Sequence, residues 1–195
     1  MSQLVSLSIV LAIVSQTTFA QVNNSALKEC RISTGIGFAN ATKNARSVGK
    51  AVWVQLDYKL SAHFSVAMEF ENMNYKQNNY STNIPIDKSD IEALNNNFSL
   101  LVKYHFTSIQ KLKISFASGW TYSIHTRNSY FPESDGTTVN WVPYNYTFDD
   151  YRIPILIEAQ YPLFKSLDIL TRGKYNLNTQ NGDNYSAALG LSLKI

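Results

Sequence analysis

Ser123 and His125 are the two residues whose types and spacing come nearest to catalysis, with Glu133 and Asp135 following as acids that could orient the imidazole. A serine nucleophile needs a base within hydrogen-bond reach and a third group to hold that base. Two positions apart on one face of a strand is a loose fit to that need, so a lipid-modifying enzyme is a subsidiary reading. The other histidines, His63 and His105, have no metal-ligand spacing to each other or to His125. The expected positions are a turn for His63, the inner end of a lumen for His105 and a rim for His125. Cys30 is the only cysteine, which excludes an intrachain disulfide and suits a small residue opening a strand. The expectation is therefore no catalytic site, no metal and no cofactor.

A second set of chemically active residues recurs at every other position. Asp57, Glu69, Glu71, Glu158 and Asp168 are acidic; Lys103, Lys113, Arg152, Arg172 and Lys174 are basic. Each stands within a segment whose intervening residues are apolar, as in Val52, Val54, Leu56, Tyr58 around Asp57, or Ile153, Ile155, Ile157 around Glu158. A period of two is that of a β-strand, whose successive side chains leave opposite faces. Eight such segments occur, the last running from Tyr185 to Ile195. Besides the charges, the non-apolar face carries small residues: Gly35, Gly37, Ala67, Ser99, Ser115, Ala117, Gly119, Ala188 and Gly190. Eight closed strands leave an interior only wide enough for side chains, and small residues with mutually paired charges fill such a lumen.

The connections alternate in length. Tight turns fall near residues 61–63, 107–111 and 162–166, and longer connections near 40–50, 72–97, 125–150 and 178–184. Aromatic residues on the apolar face gather toward the two ends, with Tyr58, Phe64, Tyr104, Phe106 and Tyr161 near the tight turns. Phe38, Phe70, Trp120, Tyr122, Tyr151, Tyr175 and Tyr185 lie near the long connections. Two aromatic girdles around an aliphatic band, with short turns on one side and long loops on the other, are features of an outer-membrane barrel. The fold expected is an all-β, eight-stranded, antiparallel up-and-down transmembrane barrel. The alternative is a soluble exported lipocalin-like binder, in which the same apolar face would line a cavity.

The 195-residue chain has only 16% charged residues, 13% aromatic residues and a net charge of +3 without a basic cluster, which argues against nucleic acid as a partner. Residues 1–20 contain no charged side chain, hold the apolar run Leu4–Val14, and end in Thr18 and Ala20. That is the form of a signal peptide cleaved after Ala20, leaving 21–195 as one barrel domain. Pro154 lies inside the sixth strand, where a missing N–H donor predicts a bulge or an upper-rim position.

The signal-peptide start, the eight strands, the alternating connections, the segment DDYRIPILIEAQYPL and the closing LGLSLKI together resemble the small outer-membrane β-barrel proteins of the Bacteroidota type. More broadly they are similar to the OmpX/OmpA transmembrane-domain class. The resemblance implies a monomeric wall protein surrounded by membrane lipid, presenting its long loops outward. Those loops, Lys76–Asn97 and Thr126–Asp150, are rich in Asn, Ser and Tyr, residues suited to adaptable recognition. Tyr80, Tyr130, Trp141, Tyr144 and Tyr146 are the candidate contact residues for a protein or host-surface ligand. Ser134-Asp135-Gly136 is a turn signal, and the alternation of Tyr144, Tyr146 and Phe148 after it predicts a hairpin standing above the membrane with an edge able to accept a strand. In the other loop, Ser89-Asp90-Ile91-Glu92 has the form of a capping box and predicts a short helix.

Overall fold

In the computed structural model, the alternating segments form eight antiparallel strands whose first and last members pair, closing the sheet on itself. The structure describes residues 29–41, 45–78, 90–106, 111–134, 136, 138–178 and 182–195. The predicted signal peptide and Tyr80 lie outside the described residues. The strands are β1 (Cys30–Ala41), β2 (Ala45–Lys59), β3 (Phe64–Asn78), β4 (Asp90–His105), β5 (Lys113–Ser134), β6 (Val139–Pro162), β7 (Leu167–Leu177) and β8 (Asn184–Lys194). Each pairs with its neighbours in chain order.

Closure fixes which face meets which surroundings. Ile36, Leu100, Ile157 and Leu189 point outward and are 71%, 62%, 57% and 62% exposed. On the opposite parity Trp53, Leu101, Leu156 and Leu170 are buried inside, beside buried charged and amide side chains. A soluble protein would not leave a continuous aliphatic belt on its surface while burying lysine, arginine and glutamate. The exterior is the lipid face and the interior is the polar one.

The lumen is narrow enough to need glycine at the seam between β1 and β8. Gly35 pairs with Gly190, and a Cβ at Gly35 would stand 2.2 Å from the Leu189 carbonyl oxygen. A Cβ at Gly190 would meet Trp53 Cζ2 at 2.8 Å. Trp53 thus lies across the seam, packed with Leu170 and Ala188, because Gly190 makes room for its ring while Gly35 lets the β1 and β8 backbones close.

Two expectations are corrected, and one is settled between its alternatives. Asp90–Glu92 are not helical: they begin β4 and pair with Asn78, Gln77 and Lys76 of β3. Cross-strand pairing with a neighbour already in place overrides a local capping pattern. Of the two positions expected for Pro154, the bulge is absent, since Ser118↔Ile155 and Thr121↔Arg152 keep one register on either side of it, and the rim position holds, next to the outermost β6–β7 pair, Ile153↔Leu177. Pro154 pairs with Asn176 on β7, and the Ser118 hydroxyl donates to its carbonyl at 2.9 Å. The register shift that does occur lies in β2, between Ala45 and Lys50. Finally, among the described residues the segments assigned to long connections are largely strand, the second of them as the expected hairpin. The β3–β4 ladder continues to Asn78↔Asp90 and the β5–β6 ladder to Ser134↔Val139.

Candidate functional site: a layered charged lumen beneath a standing hairpin

The inward parity of each strand stacks the charges in layers along the barrel axis. In the middle layer, Glu69 and Glu71 of β3 face Arg172 and Lys174 of β7 across the lumen, and all four side chains are fully buried. Arg172 Nη1 donates to Glu69 Oε2 at 2.5 Å, and Lys174 Nζ lies 3.0 Å from Glu71 Oε2. Ser186 donates to Glu71 Oε1 at 2.6 Å, and Lys174 donates to Ser99 Oγ at 3.0 Å. Two carboxylates thus meet two cations in a site where an unpaired charge would be costly.

Nearer the short turns, Lys103 of β4 is clasped between Asp57, at 3.0 Å, and Glu158. Gln55 donates to the same Asp57 carboxylate at 2.5 Å. At the mouth itself, Arg31 bridges Glu29 and Asp168, while Lys113 and Lys194 approach Asp168 and Glu29 at 3.6 and 3.2 Å. Burial raises the proton affinity of the Glu29 carboxyl, but the bonds and charges of Arg31 and Lys194 outweigh it and hold the group below the usual carboxylate range.

At the opposite end Arg152 holds Asp150 at 2.9 Å through Nε and 3.0 Å through Nη2, and reaches the Gly182 carbonyl at 3.2 Å. His125 lies between, with Nδ1 2.7 Å from Asn95 Oδ1 and Nε2 3.1 Å from Asp150 Oδ1. It is wholly buried at this outer end, because its odd parity on β5 turns it inward. His63 occupies the turn before β3, and His105 faces inward near the short turns, 2.9 Å from Ser65 Oγ. Cys30 opens β1.

The structure does not bring Ser123 and His125 together as nucleophile and base. Ser123 Oγ donates to Asn97 Oδ1 at 2.8 Å, and the imidazole is engaged with Asn95 and Asp150. Glu133 is eight residues farther along the same strand, about 26 Å at the usual strand rise, and Asp135 lies outside the described residues. Among the described residues, no group of three His, Cys, Asp or Glu side chains is arranged to hold a metal ion.

Of the ten charged residues read from the sequence, nine are buried in the lumen, in separate layers, and Lys113 sits half-exposed at the mouth. Arg31, Glu29 and Asp150 were missed. Arg31 shares the inward parity of Ser33, and Asp150 that of Arg152, so a longer strand assignment would have found both.

Above the aromatic girdle, β5 and β6 continue as a hairpin. Twelve residue pairs, from Ser123↔Asp150 to Ser134↔Val139, extend it about 40 Å at the strand rise. Gly136, with φ of 90°, lies in the turn and donates to Ser134 Oγ at 3.2 Å. Along one face, Tyr144, Tyr146, Phe148 and His125 stack in a row, with centroid separations of 5.8, 6.0 and 4.7 Å. Arg127 lies 5.0 Å over Phe148. Rings stacked on one another spend their faces on the hairpin itself and stiffen it. Tyr130 and Trp141 belong to the other face by parity, so the candidate contact residues divide between two surfaces. The β6–β7 ladder begins at Ile153↔Leu177, so Val139–Asp149 of β6 are laddered to β5 alone among the described residues.

A closed eight-stranded barrel with an oily exterior, a charge-paired interior and strands prolonged on one side has the architecture of the small outer-membrane barrels. Solved structures carry the same fold. Ail, the attachment invasion locus protein of Yersinia pestis, aligns with a TM-score of 0.57 at 10% identity, over 87% of this chain and all of that one. The Neisserial surface protein A gives 0.56 at 11% identity, over 86% and 96%. The N-terminal barrel of Pseudomonas aeruginosa OprF gives 0.53 at 13%, over 86% and 98%. Neither a family model nor a curated protein matches the chain.

Proposed function

We propose that this chain is an integral outer-membrane barrel of the Bacteroidota-type family it resembles, exported by a signal peptide cleaved after Ala20, whose outward hairpin serves adhesion or recognition. The observation that carries the reading is the β5–β6 hairpin, which continues far beyond the lipid belt and is stiffened by its ring stack. A preformed strand laddered on one side only, as Val139–Asp149 is among the described residues, lowers the ordering cost of binding an extended segment of a protein or host-surface ligand. Support comes also from the neighbour Ail, which is named for attachment and has been crystallised with a heparin analogue, both properties of that protein.

The lumen, packed with side chains through its middle layer, suits a wall and not a general porin. The unit is a monomer with lipid as its surroundings. No catalytic role is proposed for Ser123, whose hydroxyl is committed to Asn97.

The test compares cells displaying the full chain with cells in which residues 129–144 are replaced by Asn-Gly. Both proteins are expected in the outer membrane with heat-modifiable migration, and adherence to host cells is expected only for the full chain. Equal adherence of the two, with both correctly inserted, would remove the hairpin from the function.

A further inference from the structure

The short-turn end of the barrel opens into a cavity of about 320 Å³. All eight strands contribute to its walls, and the β6–β7 turn adds Phe164, Lys165 and Ser166. Six cations line it against three carboxylates, Glu29, Asp57 and Asp168. Glu158, immediately behind Lys103, adds a fourth. The pairing is correspondingly shared. Glu29 serves Arg31, Lys194 and, at 4.0 Å, Lys59, while Asp168 serves both Arg31 and Lys113. Lys165 makes no ion pair among the described residues. The middle layer, by contrast, is balanced two against two.

An excess of positive charge inside a concave mouth, with low-dielectric walls around it, concentrates anions from the adjoining solution. The same excess costs stability unless an anion offsets it. Lys103, which floors the cavity, is buried and fixed, whereas Lys113 and Lys59 are partly exposed at its rim and can swing onto a guest. The volume is that of a small-molecule site.

We propose that this vestibule binds a small polyanion bearing phosphate or carboxylate groups, entering from the short-turn side of the membrane. The proposal is independent of the hairpin's role and holds whether or not the hairpin mediates adhesion.

The test is calorimetric titration of the detergent-solubilised full barrel with pyrophosphate at constant ionic strength. Saturable binding is expected, weakened on the order of tenfold or more in K113Q/K165Q, since each lysine would supply a charge-assisted contact. K165Q alone, in an exposed turn, gives a smaller loss without touching any buried pair. Repeating the titration in nanodiscs separates the sources. Weaker pyrophosphate binding in phosphatidylglycerol discs than in phosphatidylcholine discs identifies the anion as a lipid headgroup; equal binding identifies it as soluble. No saturable binding to the unaltered barrel, or binding undiminished in K113Q/K165Q, overturns the proposal.

Discussion

Arg172 holds its guanidinium carbon 4.2 Å from the centre of the Trp53 ring while its Nη1 donates to Glu69. One side chain thus joins the apolar packing over the β1–β8 seam to the ion layer at mid-lumen. Replacing it with methionine keeps most of the volume but leaves Glu69 and Glu71 with Lys174 alone. Arg172→Met is expected to cost about 3–5 kcal/mol, the usual penalty for orphaning a buried charge. Urea unfolding in detergent, followed by tryptophan fluorescence, measures it, and a loss under about 1 kcal/mol contradicts the account.

The lipid face makes an opposite demand. Ile157 is outward, midway along β6 between Tyr151 and Tyr161. Ile157→Arg should destabilise the barrel in bilayers by about 2–4 kcal/mol, the depth-dependent cost of a midplane charge. Refolding titrations into lipid vesicles would show it. Were the exterior in water, the same change would be nearly neutral and would raise solubility.

The seam glycine is a steric requirement. Gly35→Ala places its Cβ against the Leu189 carbonyl, where backbone must shift. The expected outcome is loss of the compact, faster-migrating band in unboiled samples, with the protein still present in the membrane. Ser33→Ala, one rung away on the same inward parity, should keep that band.

The mouth gives a pH dependence. Glu29 is held below its ordinary range in the fold, so its contribution is complete above the unfolded value, about 4.3. It is lost as pH falls through the lower folded value. Thermal unfolding in detergent should therefore show stability declining below about pH 4, with a shallower decline in Glu29→Gln. Parallel curves for the two proteins would assign the decline to the buried layers instead.

Much of the fold could be read from the chain because a sheet with lipid outside and charge inside writes its parity in every strand. Trp53 shows how far parity reaches: although aromatic, it alternates with Val52 and Val54 and so belongs to the inside. The outer continuations of β3, β4, β5 and β6 were harder to see. Asn72, Asn74, Asn95, Asn96 and Asn97 pair through backbone ladders that no apolar alternation marks. The partners of each charge were also hidden. That Glu69 meets Arg172, on a strand four places around the wall, follows from circumference and stagger, which no local pattern encodes.

The pairing of β1 with β8 carries a kinetic consequence. Seven of the eight seams join strands adjacent in sequence and can form as local hairpins, whereas the last joins Arg31 to Lys194. Its loop-closure entropy is the largest in the molecule, and nothing rewards it until both raw edges are in place. Assembly therefore ends at that seam: a curled sheet with two open edges precedes the barrel. The Gly35↔Gly190 contact, with Trp53 across it, forms in the step that commits the chain to its final topology.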